Sequence, residues 1–276
     1  MSEARAFVEE PGIIHAALNY AVRTAEKPVS ETFGTGGLER RYTGKFERHV
    51  VPLGDGRAAQ DGFGLDTSGF TLVRHDTQVK SFFDKDELNA RYFAEMRELI
   101  ARESGAARVH VFDFTLRSGD QDERAARQIR EPVMAVHNDY TETSGPRRVR
   151  DLLPDEADAL LARRFAIVQV WRAIAAPIER DPLAIADARS IAFSDFIPAE
   201  RRFPDRVGEI YQVAFNSSHR WYWFPRMTRN EALVFKVYDS DKDRARFGAH
   251  TSFALDGIKP DAPPRQSIEI RAFAFF

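Results

Sequence analysis

The stretch FAIVQVWRAI, residues 165–174, opens the run of apolar segments that decides the fold class. Four similar segments follow it at short intervals: DPLAIADARSI (181–191), GEIYQVAFNSS (208–218), EALVFKVYDS (231–240) and SIEIRAFAFF (267–276). Short runs rich in valine, isoleucine and aromatic residues, bounded by turn residues, are typical of strands. The C-terminal half has almost no helical periodicity, so we expect a protein built mainly from β-strands.

The preceding half adds strands and one clear helix. GFTLVR (69–74), ARVHVFDFTLR (107–117) and PVMAVHNDYT (132–141) have strand patterns, whereas apolar residues recur at helical spacing in ELNARYFAEMRELIARES (87–104). Asp84 or Asp86 is expected to cap this helix and Gly105 to end it. A second helix is predicted at roughly 154–164. The sequence therefore predicts one domain, a β-sandwich or jelly roll with flanking helices, preceded by an irregular extension over about residues 1–68.

Composition narrows the function classes. The chain of 276 residues has no cysteine, which excludes thiolate-bound zinc, iron–sulfur clusters and a cysteine nucleophile. Its 40 basic and 42 acidic residues are spread evenly, so the sequence gives no sign of nucleic-acid binding. No apolar stretch reaches the roughly 18 residues of a membrane span, and a cytoplasmic protein is expected. Any bound metal must use histidine and carboxylate ligands.

The segment Val136-His137-Asn138-Asp139 carries a candidate metal site. Residues i and i+2 of a strand project to the same face, so His137 and Asp139 can bind one ion together. A histidine from another strand would complete a set of two histidines and one carboxylate, which leaves coordination positions of iron(II) open for an oxo-acid and O2. An H-x-D tripeptide alone is weak evidence, because surface histidines often stand beside a turn aspartate.

The C-terminal segments strengthen this interpretation. His250 follows a late strand, and Arg265 opens the last strand fifteen residues later. Arginine suits the distal carboxylate of 2-oxoglutarate because its planar fork matches a carboxylate. Ser267 shares the face of Arg265 and could bind the same carboxylate. Arg271 is also on that face and is an alternative to Arg265.

His219 is the rival for the third ligand position. It lies in the aromatic segment SSHRWYWFPRM (217–227), where it could equally be a core or pocket histidine. Together with Trp221, Trp223 and Tyr140, it is predicted to line the pocket of a small organic substrate.

Several blocks give the chain a family resemblance. They are HNDYT (137–141), VWRAI (170–174), DPLAIAD (181–187), SSHRWYWFPRM (217–227), KVYDSD (236–241), AHTSF (249–253) and PRQSIEIR (264–271). In these blocks the sequence resembles the hydroxylase/desaturase family of secondary metabolism, which includes gibberellin-desaturase-like and cephamycin-pathway proteins. The resemblance implies a double-stranded β-helix (a cupin-like jelly roll) and oxidation of a small molecule with iron(II), 2-oxoglutarate and O2.

Other functions and partners stay open at this point. A cupin-like isomerase or dioxygenase that does not use 2-oxoglutarate could keep the three metal ligands without Arg265. A non-catalytic small-molecule-binding protein could share the fold, because fold does not fix function. A small-molecule substrate is expected, and a homodimer is a further possibility.

Overall fold

The computed structural model describes residues 12–33, 39–204 and 206–276. These residues form fifteen strands: β1 Ile13–Ala21, β2 Val29–Phe33, β3 Glu39–Tyr42, β4 Phe46–Asp55, β5 Phe70–Arg74, β6 Arg108–Ser118, β7 His137–Asn138, β8 Phe165–Ala173, β9 Leu183–Ala186, β10 Phe196–Arg202, β11 Val207–Val213, β12 Trp221–Trp223, β13 Glu231–Asp239, β14 His250–Ser252 and β15 Gln266–Phe275. The helices within them are α1 Lys85–Glu87, α2 Phe93–Ser104, α3 Gln121–Arg127, α4 Ser144–Leu152 and α5 Ala157–Leu161, and a π-helical turn, Leu88–Tyr92, joins α1 to α2.

The strands belong to two sheets. The smaller sheet has the order β5-β13-β8-β15-β6, and its neighbouring strands are all antiparallel. The larger sheet has the order β1-β4-β12-β9-β14-β7-β11-β10-β2-β3. The side chains between the two sheets form one continuous apolar core. The protein is therefore a jelly roll of mainly β-structure with flanking helices, as the sequence predicts.

Strand β8, which contains most of the FAIVQVWRAI segment, is buried along its whole length. Its alternate residues Phe165, Ile167 and Trp171 pack in the core between the sheets. The intervening residues Ala166 and Val168 pack in a second cluster, under α2. Since both faces are covered, this strand is a nearly continuous apolar run rather than an alternating one.

The predicted first helix is confirmed. Asp84 caps it by accepting hydrogen bonds from the backbone N–H groups of Asp86 and Glu87. Gly105 ends it in the left-handed conformation, with φ of +73°, which glycine adopts without strain. The apolar stripe of α2 is buried against the smaller sheet.

Other predictions about local structure were wrong. The segment expected to be irregular contains β1 to β4, and β1 buries Ala16, Leu18 and Tyr20 in a period-two pattern that the turn-rich sequence after residue 50 obscured. The helix predicted at 154–164 is only the five residues of α5. α3 and α4, in segments with few apolar residues, were not predicted. In the described part of the chain, no helix is both long and apolar enough to span a membrane.

Candidate metal centre

Three predicted ligands meet between the two sheets. His250 of β14 lies directly opposite His137 of β7, and Asp139 follows two residues after His137. One potential ligand atom from each of the three lies within 4.8 Å of the other two. All three side chains are nearly buried; the side chain of Asp139 is 8% exposed. The strand pairing therefore brings together residues that are more than a hundred positions apart in sequence.

Both histidines present the same ring nitrogen to the centre of this group. Nδ1 of His137 lies 2.8 Å from the carbonyl oxygen of Ala135, and Nδ1 of His250 lies 2.8 Å from that of Gly248. Because a carbonyl only accepts hydrogen bonds, each Nδ1 must carry the hydrogen. The lone pair is then on Nε2, which is the state a metal ligand requires.

The carboxylate of Asp139 is held from one side. Its Oδ2 accepts hydrogen bonds from Gln169 Nε2 at 2.5 Å and from Arg271 Nε at 2.9 Å, and Nη2 of Arg271 lies 2.8 Å away. Its Oδ1 lies 3.5 Å from His137 Nε2. Oδ2 is thus occupied by protein donors, while Oδ1 faces the histidine nitrogens and is available for a cation.

The local electrostatics favour cation binding at neutral pH. Burial raises the pKa of Asp139, but Arg271, His137 and His250 together hold it well below its usual range. Burial, together with the neighbouring His137, lowers the pKa of His250 to about 4. The carboxylate is therefore ionised and His250 neutral near pH 7, and these are the forms that bind metals.

Arg265, predicted to bind a carboxylate, is buried and has only neutral acceptors. Its Nη1 donates to the Asp181 carbonyl at 2.7 Å and to Ser252 Oγ at 2.9 Å, and its Nε donates to Ser267 Oγ at 3.0 Å. Among the described residues no carboxylate lies within 4.0 Å of it, and the ring of Trp171 lies 5.1 Å from its Cζ. Burial, with a smaller contribution from Arg117, lowers its pKa to about 9. Arg265 is therefore a buried cation without an ion pair to any described carboxylate.

Arg271, the alternative carboxylate binder, is already paired. Besides Asp139, it contacts Glu269 through Nη2 and Asp113 Oδ2 at 3.1 Å through Nη1. Burial opposes its charge, yet Glu269, Asp139 and Asp113 raise its pKa above the usual value. Arg271 therefore holds the carboxylate of Asp139 in place through hydrogen bonds and an ion pair.

The register of the larger sheet places two of the three aromatic residues of β12 on the face opposite to His250. His250 pairs with Ile185 of β9, and Ile185 pairs with Tyr222. Paired residues share a face and sequence neighbours alternate. Tyr222 therefore shares the face of His250, whereas Trp221 and Trp223 project to the other side.

His219 is also placed apart from the ligands. Its Nε2 lies 3.1 Å from Asp195 Oδ2 and its Nδ1 lies 3.4 Å from Tyr20 Oη, which also accepts a hydrogen bond from Trp221 at 2.6 Å. Both ring nitrogens of His219 are thus engaged. Of the residues predicted to line a substrate pocket, the structure brings only Tyr140 to the metal-binding group, because the sequence does not reveal which face of β12 is turned toward it.

A pocket of about 130 Å³, open to solvent, reaches this group from the side of Asp139, Tyr140 and Arg271. Its walls come from the middle of β6, from α4, and from β10 and β11 with the residues between them. Tyr140 is half-buried there; burial raises the pKa of its hydroxyl to about 12 although Arg271 lowers it. Of the three ligands, Asp139 is the one that lines this pocket.

Sequence reasoning missed several contributors. Gln169 is a single polar residue within the apolar β8, and that isolation was a usable signal for a buried polar contact. Ser252 stands two residues after His250 and therefore shares its face. Glu269, between Ser267 and Arg271 on the same face of β15, accepts hydrogen bonds from Arg117 at 3.3 and 3.4 Å.

Comparison with known proteins gives consistent matches over almost the whole chain. The family model described as "Oxidoreductase/YMDC permease-like domain" matches residues 18–275. A curated relative, the hydroxylase/desaturase CTB9 of Cercospora beticola, is 34% identical over 268 residues, which cover 88% of this chain and 80% of that protein. The Fe(II)/2-oxoglutarate-dependent dioxygenase nvfI of Aspergillus novofumigatus is 32% identical and covers 82% of this chain and 83% of its own length.

A solved structure agrees with these sequence matches. The iron and alpha-ketoglutarate-dependent endoperoxidase NvfI superimposes with a TM-score of 0.87 at 27% sequence identity. The alignment covers 98% of this chain and 99% of that one. The jelly roll and its two sheets are therefore common to both proteins.

Proposed function

Because the chain belongs to the hydroxylase/desaturase family of oxidoreductases, we propose that it binds iron(II) through His137, Asp139 and His250. The protein is an iron(II)- and 2-oxoglutarate-dependent oxygenase. The observation that carries the ligand assignment is the convergence of one ring nitrogen from each histidine and one carboxylate oxygen within 4.8 Å of one another. Two histidines and one carboxylate are the ligand set of non-haem iron(II) oxygenases, and they leave sites open for other ligands.

The donor atoms fit this metal. The backbone carbonyls of Ala135 and Gly248 bind Nδ1 of His137 and His250, which leaves Nε2 of each ring as the ligand atom. Gln169 and Arg271 bind Oδ2 of Asp139, which leaves Oδ1 as its ligand atom. Partners of this kind orient metal ligands before the ion binds. Bound iron(II) would supply the activation of O2 that is coupled to oxidative decarboxylation of 2-oxoglutarate.

Arg265 is our candidate for binding 2-oxoglutarate. Its guanidinium is buried beside two serine hydroxyls and has no acidic partner within 4.0 Å in the described part of the chain. The distal carboxylate of 2-oxoglutarate would supply the missing negative charge, and Ser267 or Ser252 could donate a further hydrogen bond to it. Arg271 is less suited, because three carboxylates already surround it. The cupin-like alternative gives no reason for the buried cation at position 265.

The substrate of this reaction is proposed to be a small organic molecule that is hydroxylated or desaturated. The relatives carry the names hydroxylase, desaturase, dioxygenase and endoperoxidase, so oxidation of a C–H bond is the common chemistry. A single domain, a homodimer and a cytoplasmic location stay predictions from the sequence.

Reconstitution with iron under nitrogen tests the ligand assignment. The His250→Ala variant is expected to lose bound iron and the iron-dependent formation of succinate from 2-oxoglutarate. The matched control is His219→Ala, since His219 is equally buried and was the rival ligand; it should retain iron. Full iron content in His250→Ala, or its loss only in His219→Ala, would overturn the assignment.

A further inference from the structure

The open pocket and the Arg265 site lie at opposite ends of the metal-binding group. Arg265 immediately precedes β15, and Arg271 follows six residues later on the same face. At about 3.3 Å per residue the two guanidinium-bearing positions are roughly 20 Å apart along the strand. The pocket is lined by Arg271 but not by Arg265. A molecule in this pocket would approach Asp139 from the side opposite to 2-oxoglutarate.

The walls of the pocket carry an excess of positive charge. Besides Arg271, its lining contains five arginines: Arg130, Arg147, Arg148, Arg201 and Arg206. Four acidic residues also line it, and three of them are paired. Asp113 and Asp139 contact Arg271, and Glu209 contacts Lys27 and accepts a hydrogen bond from Thr141. Asp151 is the fourth acid.

Among these arginines, Arg148 has a buried side-chain nitrogen without a hydrogen-bond partner in the described part of the chain. It projects from α4 into the pocket, and its Nε is buried without a hydrogen-bond partner. In the described part of the chain no carboxylate lies within 4.0 Å of its guanidinium, which sits 5.6 Å from the ring of Phe112. A buried donor of a charged group is costly to leave unmatched. Phe203 and Tyr140 add apolar surface to the same pocket.

We propose that this pocket receives the organic substrate and that Arg148 binds a carboxylate group of it. The proposal rests on the function proposed above and adds the chemical class of the substrate, an organic acid with an apolar body. The planar guanidinium matches a carboxylate through two parallel hydrogen bonds. The aromatic rings would contact the apolar part of the molecule, which then extends toward Asp139.

A matched pair of probes tests the preference for a carboxylate. 3-Phenylpropanoate and its neutral amide, 3-phenylpropanamide, are titrated calorimetrically into the protein loaded with iron(II) and 2-oxoglutarate under nitrogen. The wild-type protein is expected to bind the acid about tenfold more tightly than the amide, which corresponds to about 1.4 kcal/mol. Equal binding of the two probes, or no binding of the acid, overturns the proposal.

Variants assign the preference to one residue. Arg148→Gln should abolish the difference between acid and amide, and Arg148→Lys should restore part of it by keeping the charge. The control is Arg150→Gln, which makes the same change on the exposed side of α4, where Arg150 pairs with Asp158 at 2.6 Å. Preference that survives in Arg148→Gln, or disappears equally in Arg150→Gln, contradicts the assignment.

The same preparations separate this inference from the proposed function. Succinate formation by the wild-type protein in the absence of probe reports on iron and 2-oxoglutarate chemistry alone. Its absence would refute the function, whatever the titrations show. Succinate formation without any acid preference would refute only the substrate class.

Discussion

Replacing Arg265 with methionine removes a buried cation that has no acidic partner among the described residues. Its side chain is 2% exposed, and its pKa falls from 12.5 to about 9, mainly because of burial. A shift of this size corresponds to a penalty of roughly 5 kcal/mol on the charged form. Methionine keeps most of the volume without the charge. We therefore expect Arg265→Met to cost the protein little or no unfolding free energy when 2-oxoglutarate is absent, although three hydrogen bonds are lost.

The effect on 2-oxoglutarate binding should be large. Truncating one partner of a buried charge pair costs about 2–5 kcal/mol, or roughly 30- to 5,000-fold in Kd. A ligand at 100 times its Kd stabilises the wild-type protein by about 2.7 kcal/mol. If Kd rises at least 30-fold, the same concentration stabilises the variant by less than about 1 kcal/mol. The variant should thus be stable but insensitive to the cosubstrate.

Urea unfolding with manganese(II), with and without 2-oxoglutarate, measures both quantities. Arg172→Met is the matched control, because Arg172 is also fully buried and its bonds go to a histidine ring and a backbone carbonyl. Arg172 belongs to β8, and within the described residues its hydrogen bonds go to His75 and Arg229, not to the Arg265 group. Its variant should keep the full stabilisation by 2-oxoglutarate. Full stabilisation of Arg265→Met, or equal loss in both variants, would refute the role of Arg265.

Two further predictions concern pH and stability. Since Arg265 must be charged to bind a carboxylate and its pKa is about 9, the Kd of 2-oxoglutarate should be constant near neutral pH and should rise as the pH passes through about 9; a Kd unchanged from neutral pH up to pH 10.5 contradicts this. Lys236 is buried and pairs with Asp239 at 2.7 Å and Asp66 at 2.9 Å, so Lys236→Met should lose about 3 kcal/mol of unfolding free energy in urea, whereas exposed Lys259→Met should stay within about 0.5 kcal/mol of wild type.

The sequence predicts His137 and Asp139 because the pattern that identifies them lies within one short segment. Once the segment is extended, the i, i+2 spacing places His137 and Asp139 on one face. Few residues in the C-terminal segments can then supply the third ligand and the arginine, and His250 and Arg265 are the candidates. The pairing of Arg271 with Asp139 could not be predicted in this way. Arg265 and Arg271 share a face of β15, and only the alignment of that strand with β7 decides which one meets the carboxylate.

The aromatic residues of β12 illustrate a limit of the same kind. Alternation predicts that Trp221 and Trp223 share a face and that Tyr222 takes the other. It does not say which face looks toward His250, because that depends on pairing with β9, a strand 35 or more residues earlier. A shift of one residue in this register would exchange the two sets.

In strand β15, the same register determines both the packing of the core and the geometry of the site. Its outward residues Ile268 and Ile270 are completely buried in the apolar cluster under α2. Its inward residues Ser267, Glu269 and Arg271 carry the polar contacts of the site. Sliding the strand by one residue would place the charges under α2 and the isoleucines beside Asp139, so the packing that stabilises the fold also fixes the positions of Ser267, Glu269 and Arg271 relative to Asp139.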